Sequence, residues 1–320
     1  MTIVPRSRLG LSVVVPCFNE AQVFHALCER LVGACEVLDW DYELVFIDDG
    51  STDHTWQKIC EASKHNRHIC GLRLSRNHGH QLALSAGLAR ARGDRILIID
   101  ADLQDPPELL PQMMQMMDEG ADVIYGQRRH RVGESAFKLL TAHLFYRAIN
   151  MLSDTNIPRD TGDFRLITRE VLLVLNAMPE GERFIRGMVS WIGFSQQPLL
   201  YDRHERAAGR SKYPFRKMVR FAATAVTSFS TKPLRVASYF GVALGVLCFV
   251  AIIYLAIAHF QGHTVQGWTS LIVIILFVGA VQLFVLGIIG EYLGRLFIES
   301  KRRPLYIIAE IVGRKSDHAI

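Results

Sequence analysis

The chain has 320 residues, half of them apolar, 21% charged, with a net charge of +5, room for one large domain and an appendage of a different kind. Its basic residues crowd beside apolar stretches, which excludes a nucleic-acid footprint in favour of anionic lipid headgroups. The six cysteines, Cys17, Cys28, Cys35, Cys60, Cys70 and Cys248, have no CxxC spacing, which argues against a zinc site and for reduced, structural thiols in a cytosolic compartment.

Residues 1–10 carry Arg6 and Arg8, but the apolar run that follows is short and contains Pro16 and Glu20, so it is not a signal peptide. From there short β-branched runs alternate with helical patterns, the arrangement of a parallel sheet covered by helices. Strands are predicted over 11–15, 42–47, 71–74, 95–99 and 123–125, and helices over 21–38, 52–64, 81–92 and 107–119, the last opened by Asp105-Pro106-Pro107. Beyond Tyr125 the alternation weakens into a helical stretch over 134–152, a turn-rich loop over 153–163 and a strand over 196–202.

Residues 213–231 place Phe215, Met218, Val219 and Phe221 at helical spacing among Arg216, Lys217 and Arg220, the pattern of a helix lying in a membrane interface. Two nearly uncharged apolar stretches follow, 236–260 and 268–289, each near the ~20 residues a helix needs to cross a bilayer. Lys and Arg flank the pair on both sides, while the connecting segment 259–267 has neither. The positive-inside bias therefore puts both termini in the cytoplasm of a multi-pass inner-membrane protein. The expected organisation is a cytoplasmic catalytic domain over 1–212, an interfacial helix over 213–233, a two-helix anchor over 234–290 and a cytoplasmic helical tail over 291–320. Gly279-Ala280 and Gly287-x-x-Gly290 would allow close helix packing and a homo-oligomer.

Three predicted strands end in polar runs, Pro16–Glu20, Asp48–Asp53 and Asp100–Asp105; such strand ends are where ligands bind in α/β sheets. Asp100-Ala101-Asp102 offers paired carboxylates to a hard divalent cation, Mg²⁺ or Mn²⁺, whose shell a diphosphate would complete. Ser51 and Asp53 are equally suited to capping the next helix. His78 and His80 flank Gly79 ahead of another helix, close to a donor diphosphate or simply at a cap.

Taken together, VVVPCFNE (13–20), IDDGSTD (47–53), SRNHGHQLALSAG (75–87) and DADLQDPPE (100–108) resemble the catalytic domain of family 2 glycosyltransferases with the GT-A, Rossmann-like fold. TGDFRL (161–166), GRSKY (209–213), GEYLGR (290–295) and Arg303-Pro304 with Tyr306 are similar to polyisoprenyl-phosphate glycosyltransferases of the bactoprenol glucosyltransferase and dolichol-phosphate mannosyltransferase type. The resemblance covers nearly the whole chain. It implies that Pro16, Asn19, Glu20, Asp48, Asp49, Asp100 and Gln104 bind a nucleotide-sugar, that Asp100, Asp102 and Gln104 surround the metal, and that Asp163 and Asp102 serve catalysis. It implies further that Arg206, Arg210, Ser211 and Lys212 meet the lipid phosphate.

A phosphate acceptor is already anionic and needs positioning and charge compensation more than a strong base. Asp163 therefore keeps three open roles: accepting a proton from a monoanionic phosphate, holding a sugar hydroxyl, or pairing with Arg165. The expected reaction is inverting transfer of a hexose, glucose from UDP-glucose, to undecaprenyl phosphate at the cytoplasmic membrane face. The alternatives are another donor (a UDP-4-amino-arabinose derivative, a UDP-HexNAc or GDP-mannose) and, outside catalysis, a two-span membrane scaffold. A processive polysaccharide synthase would need more spans and a Gln-x-x-Arg-Trp signature, which the sequence lacks.

Overall fold

A computed structural model describes residues 10–129, 161–181, 183–202, 232–261 and 268–313. The predicted helix over 134–152, the interfacial helix over 213–233 apart from its last two residues, and the acceptor-phosphate residues Arg206, Arg210, Ser211 and Lys212 lie outside the described residues. The chain divides into two compact units: Met1–Tyr146 with Thr155–Phe215 and Pro304–Ile320, and Arg147–Asp154 with Arg216–Arg303.

In the first unit, β1 (Leu11–Cys17), α1 (Phe24–Glu36), β2 (Tyr42–Asp48), α2 (Thr55–His65), β3 (Ile69–Leu74), α3 (His80–Arg90) and β4 (Arg95–Ile98) follow the predicted alternation. A 3₁₀ turn (Pro107–Leu109) leads into α4 (Leu110–Asp118), then β5 (Val123–Arg128), β6 (Thr161–Thr168), α5 (Arg169–Ala177), α6 (Ile185–Ile192) and β7 (Gln196–Tyr201). β1 and β2 are buried along their whole length. Such strands read as continuous apolar runs because helices cover both faces. On one face Leu11, Val13, Leu44 and Phe46 pack with Phe24, Leu27 and Leu31 of α1 and Met113 of α4. On the other, α3 lies so close that a Cβ on Gly87 would come within 2.4 Å of Ile47 and Val14.

The sheet has eight strands in the order β7-β5-β6-β4-β1-β2-β3-β8, where β8 is Ile308–Val312. The run β4-β1-β2-β3 is parallel, and β6 runs antiparallel between β4 and β5. Three features differ from expectation. Residues 161–163, expected in a loop, open β6. That strand hides from pattern reading because Asp163 and Arg165 are as buried as Phe164 and Leu166, so no polar face alternates with an apolar one. The tail expected to be helical throughout is helical only to Ser300. It then forms β8, antiparallel to β3 at the sheet edge, and the β-branched run Ile307, Ile308, Ile311 and Val312 accounts for it. α5 and α6 were not anticipated as separate elements.

The second unit contains α7 (Lys232–Phe260) and α8 (Trp268–Ser300), which pack against each other. Within α8, the 24 residues Phe277–Ser300 are long and apolar enough to cross a membrane, by length and composition. In α7 the apolar segment Ala237–Ala251 is shorter. One of the two expected spans thus meets the criterion among the described residues.

Candidate active site

The loops after β1 and β2 are knitted into one surface. Asn19 sits at φ 57°, a left-handed conformation that Asn tolerates better than most residues. Its Oδ1 accepts from Thr52 N at 2.8 Å, and its own N–H donates to Ser51 Oγ at 3.0 Å. Glu20 N donates to Thr55 Oγ1 at 2.9 Å and Ala21 N to Asp53 Oδ2 at 3.1 Å. Asp53 also accepts from Thr55 N at 2.9 Å, one residue ahead of the helix terminus, so it orders the entry to α2. Pro16 lies within β1, buried.

Asp48 and Asp49 are both turned inward. Asp49 accepts from His78 N at 2.7 Å and Gly79 N at 2.9 Å, one carboxylate oxygen to each, which fixes the loop ahead of α3. Asp48 has no exposed surface; its Oδ1 accepts from Ser51 N at 3.2 Å and its Oδ2 faces Arg73 Nε at 3.7 Å. Asp48, expected to bind the nucleotide-sugar, orders the turn from beneath. Burial pushes both carboxyls above the ordinary carboxylate value, against the pull of these donors. Gly50 makes the turn feasible: at φ +68° a Cβ would stand 2.5 Å from the Arg76 carbonyl carbon.

The loop after β4 carries Asp100, Asp102 and Gln104, all half-buried. Leu103 adopts φ 60°, and Gln104 N donates to Asp102 Oδ1 at 3.2 Å. Arg30 of α1 clamps this loop through Glu108, at 2.8 and 2.7 Å. Buried Asp105 accepts from the Tyr201 hydroxyl of β7. A shallow cavity of about 560 Å³ lies beside that contact, lined by Arg30, Glu108, Gln112, Arg129, Tyr201 and Asp202 among others; Asp100 and Asp163 are not part of it.

Asp163 reaches the same region by register. Ile98 of β4 pairs with Arg165 of β6, and continuing the antiparallel count by two residues sets Asp163 opposite Asp100. His80 Nε2 then lies 3.0 Å from Asp163 Oδ2 and 3.4 Å from Asp100 Oδ1. Gln81 Nε2 donates to Asp163 Oδ2 at 3.0 Å while its Oε1 accepts from Ile185 N at 3.0 Å. Arg186 Nε donates to Asp163 Oδ1 at 2.7 Å. Arg165, considered above as the partner, sends its guanidinium instead to the backbone carbonyls of Gly162 and Asp163, at 3.1 and 3.3 Å. The carboxylate is ion-paired with Arg186 and with His80.

The electrostatics follow from this packing. Burial alone would raise the Asp163 pKa, but the Arg186 charge and the His80 hydrogen bond outweigh it and hold the group well below the ordinary carboxylate range. Burial would lower His80, yet its bond to Asp163 and the nearby Asp100 charge raise it. Asp100 is pushed up to about 6 by burial and by the carboxylates around it, with His80 pulling the other way.

His80, Asp100 and Asp163 form a group whose potential ligand atoms all lie within 4.8 Å of one another. Their donor capacity is unequal. Both Asp163 oxygens already accept hydrogen bonds, whereas buried Asp100 Oδ1 makes no hydrogen bond and has His80 Nε2 as an ion-pair neighbour at 3.4 Å. A buried carboxylate oxygen left in that state is costly unless a cation completes it. Asp100, with Asp102 two residues on, thus fits a hard divalent ion. His80 was anticipated near this site with no assigned partner; Gln81 and Arg186 carried no signal in the sequence.

Carboxylates gathered at the carboxyl ends of parallel strands mark the ligand-binding edge of an open α/β sheet. The chain is a member of glycosyl transferase family 2, which residues 12–175 match, and residues 232–296 match the GtrB C-terminal hairpin. An uncharacterized glycosyltransferase of Bacillus subtilis, YkcC, is 44% identical over 94% of each chain. The bactoprenol glucosyl transferase of Shigella phage SfV is 40% identical over 94% of this chain and 98% of its own. The prophage bactoprenol glucosyl transferase homolog of Escherichia coli is 37% identical over 95% and 99%. The fold is accordingly the GT-A, Rossmann-like α/β fold.

Proposed function

We propose that this protein transfers glucose from UDP-glucose to undecaprenyl phosphate at the cytoplasmic face of the membrane. The observation that carries this reading is the 40% identity, over almost the full length of both chains, to the bactoprenol glucosyl transferase of phage SfV. The bond from the anomeric carbon to the donor diphosphate breaks, a bond to a lipid-phosphate oxygen forms with inversion, and UDP leaves. The acceptor needs no strong base, which accords with an Asp163 held as a fixed anion by Arg186, His80 and Gln81.

In this reading Asn19 and the turn over 49–53 line the nucleotide site, and Asp49 secures the loop that carries His80. Asp163 keeps His80 and Arg186 oriented toward the reacting phosphates. Asp100 and Asp102, with Gln104, would hold Mg²⁺ or Mn²⁺, which when bound neutralises charge on the departing diphosphate. Arg206, Arg210, Ser211 and Lys212 receive the lipid phosphate. α7 and α8 form a two-span anchor with both termini cytoplasmic, supported by the match to the hairpin family and the apolar length of Phe277–Ser300.

The test is turnover by the full chain in detergent with undecaprenyl phosphate, Mg²⁺ or Mn²⁺, and in turn UDP-glucose, UDP-GlcNAc, UDP-galactose and GDP-mannose. Glucosyl lipid from UDP-glucose is the expected product. Transfer from another donor alone would replace the sugar assignment, and no nucleoside diphosphate release from any would end the enzyme reading.

A further inference from the structure

The tail beyond α8 does more than close the sheet edge. In the β3–β8 register Arg73 stands directly opposite Glu310, and such cross-strand pairs are the contacts through which one strand orders its neighbour. Arg73 Nη1 donates to Glu310 Oε1 at 3.0 Å, and Glu310 Oε2 accepts from the Trp56 indole N–H at 3.0 Å. Glu310 thus holds α2 and β3 at once. Arg73's Nε faces Asp48 Oδ2 at 3.7 Å, and Asp48, wholly buried, spends its other oxygen on Ser51 N at 3.2 Å. Ser51 Oγ in turn accepts from Asn19 N at 3.0 Å.

Three hydrogen bonds and one longer ion pair, Arg73–Asp48, therefore connect Glu310–Arg73–Asp48–Ser51–Asn19, from an exposed edge strand to the two loops that line the proposed nucleotide site. The sheet is irregular at this point, with the β3–β8 register shifting between Arg73 and Leu74. Bulges of that kind re-aim a side chain near functional sites. Asp48 is the sensitive link, because a buried carboxylate tolerates no loss of compensation on either side.

We propose that Glu310 is a positioning residue for the donor nucleotide, acting through Arg73 on Asp48 and the turn over 49–53. It touches no substrate. Its role is to keep Arg73 aimed at Asp48 so that the turn presents its exposed groups in one conformation. The C-terminal strand is then a working part of the donor site. The inference rests on the donor-site reading above.

The experiment uses the full chain in detergent, with UDP and Mg²⁺ titrated by calorimetry and steady-state rates taken with UDP-glucose and undecaprenyl phosphate. Glu310→Gln should weaken UDP binding and raise the donor KM by about fivefold, the effect of one charge-assisted contact partly screened by solvent, with kcat and acceptor KM nearly unchanged. In combination with Asp48→Asn it should add little, because the two act along one chain. Val312→Ala separates this from a general edge-strand effect: it trims the packing of β8 on the core while removing none of the hydrogen bonds or charges named above, and should lower Tm while leaving donor KM alone. Normal UDP binding by Glu310→Gln would overturn the proposal, as would matched losses in Glu310→Gln and Val312→Ala. Asn19→Ala reports on the site itself. If it leaves UDP binding intact, the nucleotide does not sit at these loops and both readings fall; if it weakens binding while Glu310→Gln does not, only the relay fails.

Discussion

Arg186 Nε lies 2.7 Å from Asp163 Oδ1, inside a carboxylate whose other oxygen already accepts from His80 and Gln81. Such a group is a poor proton acceptor: every contact favours its charged form, and protonation would sacrifice bonds on both oxygens. This relationship moves the weight from proton abstraction to orientation.

Asp163→Asn tests that directly. The carboxyl is depressed in the folded state, so its stabilising contribution is present above the ordinary carboxylate pKa of about 3.9 and is lost only as pH falls through the depressed value. It does not titrate in the working range. The variant should lose activity by a factor that does not shrink from about pH 6 to about pH 9, a range over which a phosphate monoanion, with pKa near 6, becomes fully ionised; because Asp163 holds the His80 pKa up, the deficit grows with pH where protonated His80 is needed. A deficit that shrinks as pH rises, read in kcat at saturating substrates, would restore the general base.

Gly50→Ala should destabilise the catalytic domain by about 2–3 kcal/mol, from left-handed strain and overpacking together. The added carbon would stand 2.5 Å from the Arg76 carbonyl carbon and 2.6 Å from Asn77 N, and backbone cannot swing aside as a flexible side chain can. Thermal unfolding of the variant gives the stability change, and UDP titration should weaken alongside it because the same loops are displaced. An unchanged Tm would mean the two loops separate freely.

Asp102→Asn should reduce kcat by about 10²–10³-fold with any acceptor, the scale for losing one electrostatic contact to developing charge. Chelation of divalent ions should abolish wild-type turnover, and adding Mg²⁺ or Mn²⁺ back should restore it. In the variant the concentration of ion needed for half-activity should rise, since half the carboxylate pair at Asp100 and Asp102 is gone. Full activity after chelation would remove the metal from the mechanism.

These sites were unequally legible in the sequence. β1 to β4 and their helices follow from β-branched runs and helical spacing, and the three strand-end acidic segments from their position after those runs. Asp163 was picked out by resemblance, but not its strand, because buried charge erased the alternation. Arg186 lies 23 residues from its partner on a helix that local pattern did not delimit. Arg73 and Glu310 are 237 residues apart. Contacts set by tertiary register leave no trace in local spacing, and for the same reason the sequence could place Asp48 at a strand end but not reveal that it points inward.

Lys212→Ala separates the two substrates. The proposed leaving-group residues, Asp100 and Asp102 with the loops held by Asp49, stand at the carboxyl ends of β1, β2 and β4, whereas residues 206–212 are the segment proposed to receive the lipid phosphate. That basic segment lies just before the chain enters its membrane-associated part, where an ammonium near the surface contributes about 1 kcal/mol toward an anionic headgroup. The variant should therefore raise the KM for undecaprenyl phosphate by about fivefold to tenfold, converting that energy at 1.4 kcal/mol per decade with some allowance for direct phosphate contact. UDP affinity should stay at the wild-type value, and the acceptor effect should fade at high ionic strength as screening removes the attraction from the wild type as well. Equal losses toward donor and acceptor would place Lys212 in the diphosphate site and dissolve the division between leaving-group and acceptor residues.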